Sequence, residues 1–220
     1  PMLVTALSGS LDVTATGAFG KACFTLNRPS TALLLPPSTK FEFSNFSTNT
    51  VAMTMSGTPG LSVPDEIITL ENYKSNGHFT SLVSQCRIIE LPRLGDLAGS
   101  LTPVVNGQGH LPFDTRRVYY LYDIPADAER GGHSHYCEQR LIVAAAGCFD
   151  VAVSDGKSWR TYTLNRPYRG LYVPQGLWRV LNNFSSGSVA LALCSTPYSE
   201  DDYVRSCNEF LALSAKKIDI

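Results

Sequence analysis

Charge is scarce in this chain. Lys, Arg, Asp and Glu make up only 17% of 220 residues, the formal net charge is −1 and the pI is near 6.5. A basic footprint for nucleic acid and a polyacidic tail are both excluded by that balance. Long hydrophobic runs are absent as well. No stretch approaches the ~20 apolar residues needed to cross a bilayer, and none of the opening residues reads as a signal peptide. Pro1 ahead of Met2 is read as a vector residue or a trimmed end, with native residues expected upstream. Cysteine is present six times (Cys23, Cys86, Cys137, Cys148, Cys194, Cys207) but without paired spacing. Cys148 and Cys194 sit in apolar strand sequence, as buried free thiols do, which points to a reduced, cytoplasmic compartment. Helix signal is also thin, and only Ser199 to Leu213 reads as helix.

What remains is β sequence. Gly (17) and Pro (13) are plentiful, as tight turns require. Leu141 to Ala146 is a short apolar run closed by Gly147, Phe149 to Val153 alternates, and Asp155-Gly156 marks a hairpin turn. Arg160 to Leu164, Gly170 to Val173 and Ser188 to Cys194 are further strands. Many short strands with turns every 8–12 residues indicate an all-β sandwich or barrel.

The chain also contains a repeat. Residues 3–59 align without a gap onto 141–197, with 19 of 57 positions identical. Asp12-Val13 meets Asp150-Val151, Thr25-Leu26-Asn27-Arg28-Pro29 meets Thr163-Leu164-Asn165-Arg166-Pro167, and Asn45-Phe46-Ser47 meets Asn183-Phe184-Ser185. The expected organisation is a partial, degenerate unit over 1–60, a connector over 61–85 and a complete unit over 86–220. Within the connector, Asp65 to Tyr73 echoes Asp202 to Phe210 with one residue of slippage. A half barrel leaves an apolar face and open edges, so the partial unit is expected to pack on the complete unit or on another subunit.

His133-Ser134-His135 is the most informative stretch. Two histidines at i and i+2 on a strand share a face, the spacing of a metal site or an acid/base pair. Together with Pro174-Gln175-Gly176, Trp178-Arg179 and Asn183, the segment resembles the paired signatures of the cupin barrels. Arg140 stands where their metal-binding glutamate would be, and Arg179 where their third histidine would be. From Arg87 onward the sequence further resembles the cupin sugar 3,4-ketoisomerases that act on dTDP-4-dehydro-6-deoxyglucose. The matching pieces include Gly99-Ser100-Leu101-Thr102, Arg117 to Asp123, Arg130 to His135, Gly170 to Pro174 and Glu200-Asp201-Asp202-Tyr203-Val204-Arg205. Ser134 and Tyr136 depart from the family, which has alanine between the histidines and a basic residue after them. The resemblance implies a jelly-roll barrel, a homodimer, no metal or other cofactor, and His133 and His135 as the proton-transfer groups.

The residues agree with that chemistry. Two neutral histidines hold a divalent cation weakly, and two arginines beside them repel it and attract an anion. Those arginines are expected to depress the histidine pKa values, leaving imidazole free to act as base. A hexose ketone at C4 acidifies the proton at C3, so isomerisation needs a base, an acid and a cation at the developing oxyanion. His135 is assigned the C3/C4 proton and His133 the proton on oxygen, with the reverse order open. Arg140 or Arg179 would face the enediolate. Arg117, Tyr119 and Arg130 are candidates for the diphosphate, Tyr119 and Tyr172 for the base, and Trp178 for a further substrate contact or for packing at the barrel mouth. Of Tyr119, Tyr120 and Tyr122, at least one is expected in the core. The repeat of Arg166 as Arg28 favours a turn role for it. The expected partner is a dTDP-linked keto-deoxyhexose in deoxysugar biosynthesis for surface polysaccharide. An epimerase on the same substrate class and a non-catalytic sugar-nucleotide binder are the alternatives, and a metal-dependent oxygenase fits least.

Overall fold

Period-two alternation sorts the chain into strands with an inner and an outer face. The computed structural model describes residues 1–17, 20–57 and 79–215. The chain divides into two units, Pro1–Asp65 and Glu66–Ile220. The first contains β1 (Met2–Ser8), β2 (Leu11–Gly17), β3 (Gly20–Leu26), β4 (Ala32–Leu35), β5 (Lys40–Ser44) and β6 (Val51–Ser56). They form two three-stranded antiparallel sheets, ordered β4-β1-β6 and β3-β2-β5. Val4, Ala6, Leu11, Val13, Leu26 and Leu35 bury its apolar face.

The second unit opens with β7 (Arg87–Glu90), a β8–β9 ribbon (Leu94–Asp96 and Gly99–Leu101), β10 (Arg117–Leu121) and β11 (Arg130–His135). It continues with β12 (Arg140–Ala146), β13 (Phe149–Ser154), β14 (Trp159–Leu164), β15 (Arg169–Val173), β16 (Trp178–Asn182), β17 (Val189–Cys194), β18 (Tyr203–Val204) and α1 (Cys207–Ala215). Two five-stranded sheets, β10-β17-β12-β15-β7 and β14-β13-β16-β11-β18, build an all-β cupin jelly roll. Inward residues of both sheets, among them Ile142, Ala144, Phe149, Val151, Val153, Leu171, Val173 and Leu181, form one core. The opposite phase of the same strands builds separate outer clusters, one around Leu141, Val143 and Tyr172 and another around Trp178, Val204 and Phe210.

The two units pair their strands in the same registers. Met2↔Leu35 and Met2↔Ser56 have the counterparts Arg140↔Val173 and Arg140↔Cys194. The register shift at Ala6/Ser8 has its counterpart at Ala144/Ala146. A carboxylate clasp occurs in both: Asp12 accepts from Thr25 (2.6 Å) and Asn45 (2.8 Å), and Asp150 accepts from Thr163 (2.6 Å) and Asn183 (2.8 Å). Both asparagines hold a left-handed backbone (φ 50° and 54°), which asparagine tolerates better than most side chains.

The C-terminal helix is shorter than its sequence suggests. Ser199 to Leu213 reads as helix, but Glu200–Asp202 is a single 3-10 turn, Tyr203–Val204 is a strand, and α1 begins only at Cys207. The cause is tertiary. Val204 and Tyr203 pair with Ser134 and His135 of β11, which draws that segment into the sheet. Among the described residues no helix is long and apolar enough to cross a membrane. The echo at Asp65 to Tyr73 lies outside the described residues, as does His78.

Candidate active site

The glycines before the histidine pair determine where it points. Gly131 lies opposite Val180 and His133 opposite Arg179, so Gly132 is an extra residue in β11 and forms a bulge. Gly131 (φ 96°) and Gly132 (φ 66°) both take backbone conformations that favour glycine, and a Cβ on Gly131 would sit 2.7 Å from the Arg179 carbonyl oxygen. The strand leaves the bulge with His133 facing a cavity of about 460 Å³. Arg117, Tyr119 and Leu121 of β10, Arg130, Arg179 and Leu181 share that lining with Tyr198, Tyr203 and Arg205.

Hydrogen-bond partners fix both imidazole tautomers. The His133 Nδ1 lies 2.9 Å from the Gly131 carbonyl oxygen, and the His135 Nδ1 lies 3.0 Å from Asp202 Oδ2. Both partners only accept, so each Nδ1 carries the proton. Each Nε2 faces guanidinium, which only donates. Arg179 Nη2 is 2.6 Å from His133 Nε2 and 3.3 Å from His135 Nε2, and Arg140 Nη2 is 2.7 Å from His135 Nε2. Both rings therefore present an Nε2 lone pair to the arginines. Tyr203 packs against both, with ring centroids 4.9 Å from His133 and 4.2 Å from His135.

Burial is the largest influence on these histidines, ahead of the arginine charges that sequence reasoning emphasised. It pushes His133 down to about 4, with Arg140 and Arg205 adding to the depression and the Gly131 hydrogen bond opposing it. For His135 burial again dominates, followed by Arg140, and the pKa falls far below the ordinary imidazole value. Both are neutral at pH 7. The kcat/KM profile should therefore lack an acid limb at pH 6–7 and decline only as His133 protonates near 4. An inflection at an ordinary imidazole pKa would contradict this. The same shift acts on stability. Unfolded imidazole takes up a proton near pH 6.5 and folded His133 only near 4, so stability falls as pH drops through that interval. Chemical denaturation at pH 7 and pH 4.5 checks the sign.

Beneath the pair lies a buried ionic network. Glu138 accepts from both Arg140 and Arg117, and Arg140 also donates to the Tyr119 hydroxyl at 2.8 Å. Asp202 Oδ1 accepts from the Cys137 amide at 2.7 Å. His135, Glu138 and Asp202 bring potential ligand atoms within 4.8 Å of one another. They do not fit a divalent cation. Glu138 is engaged by two guanidinium groups, Asp202 by His135 and a backbone amide, and Arg140 supplies the positive charge already.

Strand alternation separates the remaining candidates. Arg117, Tyr119, Arg130 and Arg179 come together at the cavity with His133, while Arg140 lies below it, 1% exposed and against His135. Tyr172 is not brought there, and Trp178 takes its packing alternative. Tyr172 alternates with the inward Leu171 and Val173, so it faces the outer cluster, donates to Gln139 Oε1 at 2.6 Å and carries Arg87 over its ring. Trp178 alternates with inward Arg179 and packs on Phe210 of α1. Sequence reasoning missed Glu138, Asp202, Tyr198, Tyr203 and Arg205. The signal for Asp202, Tyr203 and Arg205 was the run Glu200 to Arg205, which reads as helix by propensity. Arg166 lies in a turn, where its carbonyl accepts from the Arg169 amide at 3.2 Å and its guanidinium donates to the Asn165 carbonyl at 3.0 Å.

The fold and this constellation define a cupin barrel whose centre is built for acid/base chemistry. The chain belongs to the WxcM-like, C-terminal (FdtA) family, matching it over residues 1–61 and 84–215. It is 33% identical over 130 residues to the TDP-4-oxo-6-deoxy-alpha-D-glucose-3,4-oxoisomerase of Aneurinibacillus thermoaerophilus, covering 59% of this chain and 93% of that enzyme. A 3,4-ketoisomerase from Helicobacter canadensis superposes with a TM-score of 0.58 at 33% identity, over 60% of this chain and 98% of the other. The sugar 3,4-ketoisomerase QdtA from Thermoanaerobacterium thermosaccharolyticum, solved in complex with TDP, gives 0.59 at 30% identity over 61% and 98%.

Proposed function

We propose that this protein is a sugar-nucleotide 3,4-ketoisomerase, moving the keto group of a dTDP-linked 4-keto-6-deoxyhexose from C4 to C3. The observation that carries the reading is a neutral His133 at the cavity with a neutral His135 buried behind it, each with its Nε2 lone pair against arginine. In this reading His135 takes the proton from C3 and returns it to C4. His133 moves the proton from the C3 hydroxyl to O4, so the carbonyl shifts with no net change in protons or electrons. For the Nε2 lone pairs to take protons, the guanidinium groups of both Arg179 and Arg140 turn from the rings toward the developing enediolate oxygen. Arg117, Arg130 and Tyr119 serve the diphosphate end, where guanidinium geometry suits phosphate oxygens.

The 3-ketone formed is the electrophile an aminotransferase needs, which suits synthesis of 3-amino-3,6-dideoxy sugars for surface polysaccharide such as lipopolysaccharide. Six free cysteines support a cytoplasmic setting. Residues 1–60 serve as a partial cupin repeat without the chemistry, since Met2 and Phe41 stand where Arg140 and Arg179 do. The exposed leucines of the β8–β9 ribbon, Leu94, Leu97 and Leu101, favour a homodimer. The test is incubation with dTDP-4-dehydro-6-deoxyglucose in deuterated water, followed by NMR of the sugar. Deuterium at the ring carbons and a new C3 carbonyl are expected. Binding without exchange would leave only a sugar-nucleotide-binding module, and inversion without carbonyl movement would mean an epimerase. Light scattering on the same sample should give twice the chain mass, and a monomer would remove the dimer.

A further inference from the structure

Asp202 touches neither the cavity nor any residue assigned to the nucleotide, yet it is 4% exposed and fully engaged. Its Oδ1 accepts from the Cys137 amide at 2.7 Å, and its Oδ2 accepts from the His135 ring at 3.0 Å and the Glu138 amide at 3.3 Å. Its own carbonyl accepts from the Tyr136 amide at 3.0 Å. The residue thus grips three successive amides of the turn after β11 and has one free option, which it spends on His135.

We propose that Asp202 is a positioning residue that locks His135 as the Nδ1–H tautomer, keeping the Nε2 lone pair turned to Arg140 and Arg179. This rests on the ketoisomerase reading for its catalytic consequence, but the tautomer itself does not. The lock works from both ends. A carboxylate at Nδ1 only accepts, and the guanidinium groups of Arg140 and Arg179 at Nε2 only donate. The opposite tautomer would set N–H against N–H at Nε2 and leave Asp202 facing a lone pair. An asparagine at 202 cannot reproduce this. Every donor now bound by the carboxylate needs an acceptor, and an amide offers only one oxygen. If that oxygen stays with the Cys137 amide, the NH2 group faces His135 Nδ1 and favours the wrong tautomer.

The experiment is Asp202→Asn in the full chain, with two readouts. First, kcat for isomerisation should fall roughly a hundredfold or more, with TDP affinity and KM changed less than about threefold. Second, ¹⁵N-histidine NMR of the ligand-free protein should show His135 protonated at Nδ1 in the wild type, and this signature should be lost in Asp202→Asn. An unchanged kcat, or an Nδ1–H signature that survives the substitution, overturns the proposal. A variant that fails to fold leaves the wild-type spectrum to decide, and an Nε2–H His135 there is equally fatal. If the wild type lacks isomerase activity, the functional reading fails while the tautomer measurement still judges Asp202.

Discussion

His135→Asn should reduce deuterium exchange at the sugar carbons by roughly a thousandfold, within the range that one positioned acid/base group contributes. Asparagine is a partial steric substitute here. Its NH2 takes the place of Nδ1 and can donate to Asp202, as the ring does at 3.0 Å, while the shorter side chain leaves Arg140 without its Nε2 acceptor. What the amide cannot do is carry a proton at neutral pH. The barrel should stay intact, TDP should bind within about threefold of wild type, and exchange should vanish. His133→Asn should cost less, because it leaves the Asp202-held ring in place. Exchange above about a tenth of wild type in His135→Asn would remove that residue from the chemistry, and a larger loss in His133→Asn would reverse the two roles.

The largest effect on stability is expected from Glu138→Ala. The Glu138 carboxylate is the direct ion-pair partner of Arg140 and Arg117, with its side chain 1% exposed. Removing it leaves Arg140, itself 1% exposed, without that neighbour. Breaking one partner of a buried ion pair typically costs about 3–5 kcal/mol, because the remaining charge stays desolvated. A fall in the thermal midpoint of about 10 °C or more should result, read by circular dichroism. A shift under about 2 °C would mean that water reaches the guanidinium. The double variant Glu138→Met, Arg140→Leu should recover part of that loss, since it removes the charges of Glu138 and Arg140 and leaves only Arg117, 15% exposed, without its partner. It should recover no activity. The two variants together separate what the network contributes to folding from what it contributes to the histidines.

Much of the barrel was legible from sequence, for identifiable reasons. The strands from Leu141 to Cys194 carry local signals: period-two alternation, the Asp155-Gly156 turn and the glycine after Ala146. The histidine pair and the two arginines were legible because they occupy fixed positions in signatures of known spacing. Tyr172 lies away from the cavity, and Trp178 takes the packing role left open for it beside a substrate contact. Neighbours on a strand face opposite ways, so Tyr172 and Trp178 point away from the side that Val173 and Arg179 share. The segment Glu200 to Arg205 was misread because its propensity favours helix while its environment does not. Asp202 gains more by gripping the backbone after β11 than a helical turn could offer, and that partner lies 64 residues or more away along the chain. A contact of that range leaves no local trace.

The bulge at Gly131-Gly132 sets the phase of everything that follows it in β11. A strand has only two faces, so its length in residues acts as a binary choice. With the extra residue, imidazole looks inward and Ser134 outward. Without it, the same sequence would turn a serine to the cavity and both imidazoles to the opposite face, where Ser134 is already fully buried. A single-residue deletion at the bulge would thus remove the histidine pair from the arginines it now faces. The pair of glycines is the hinge on which that choice turns.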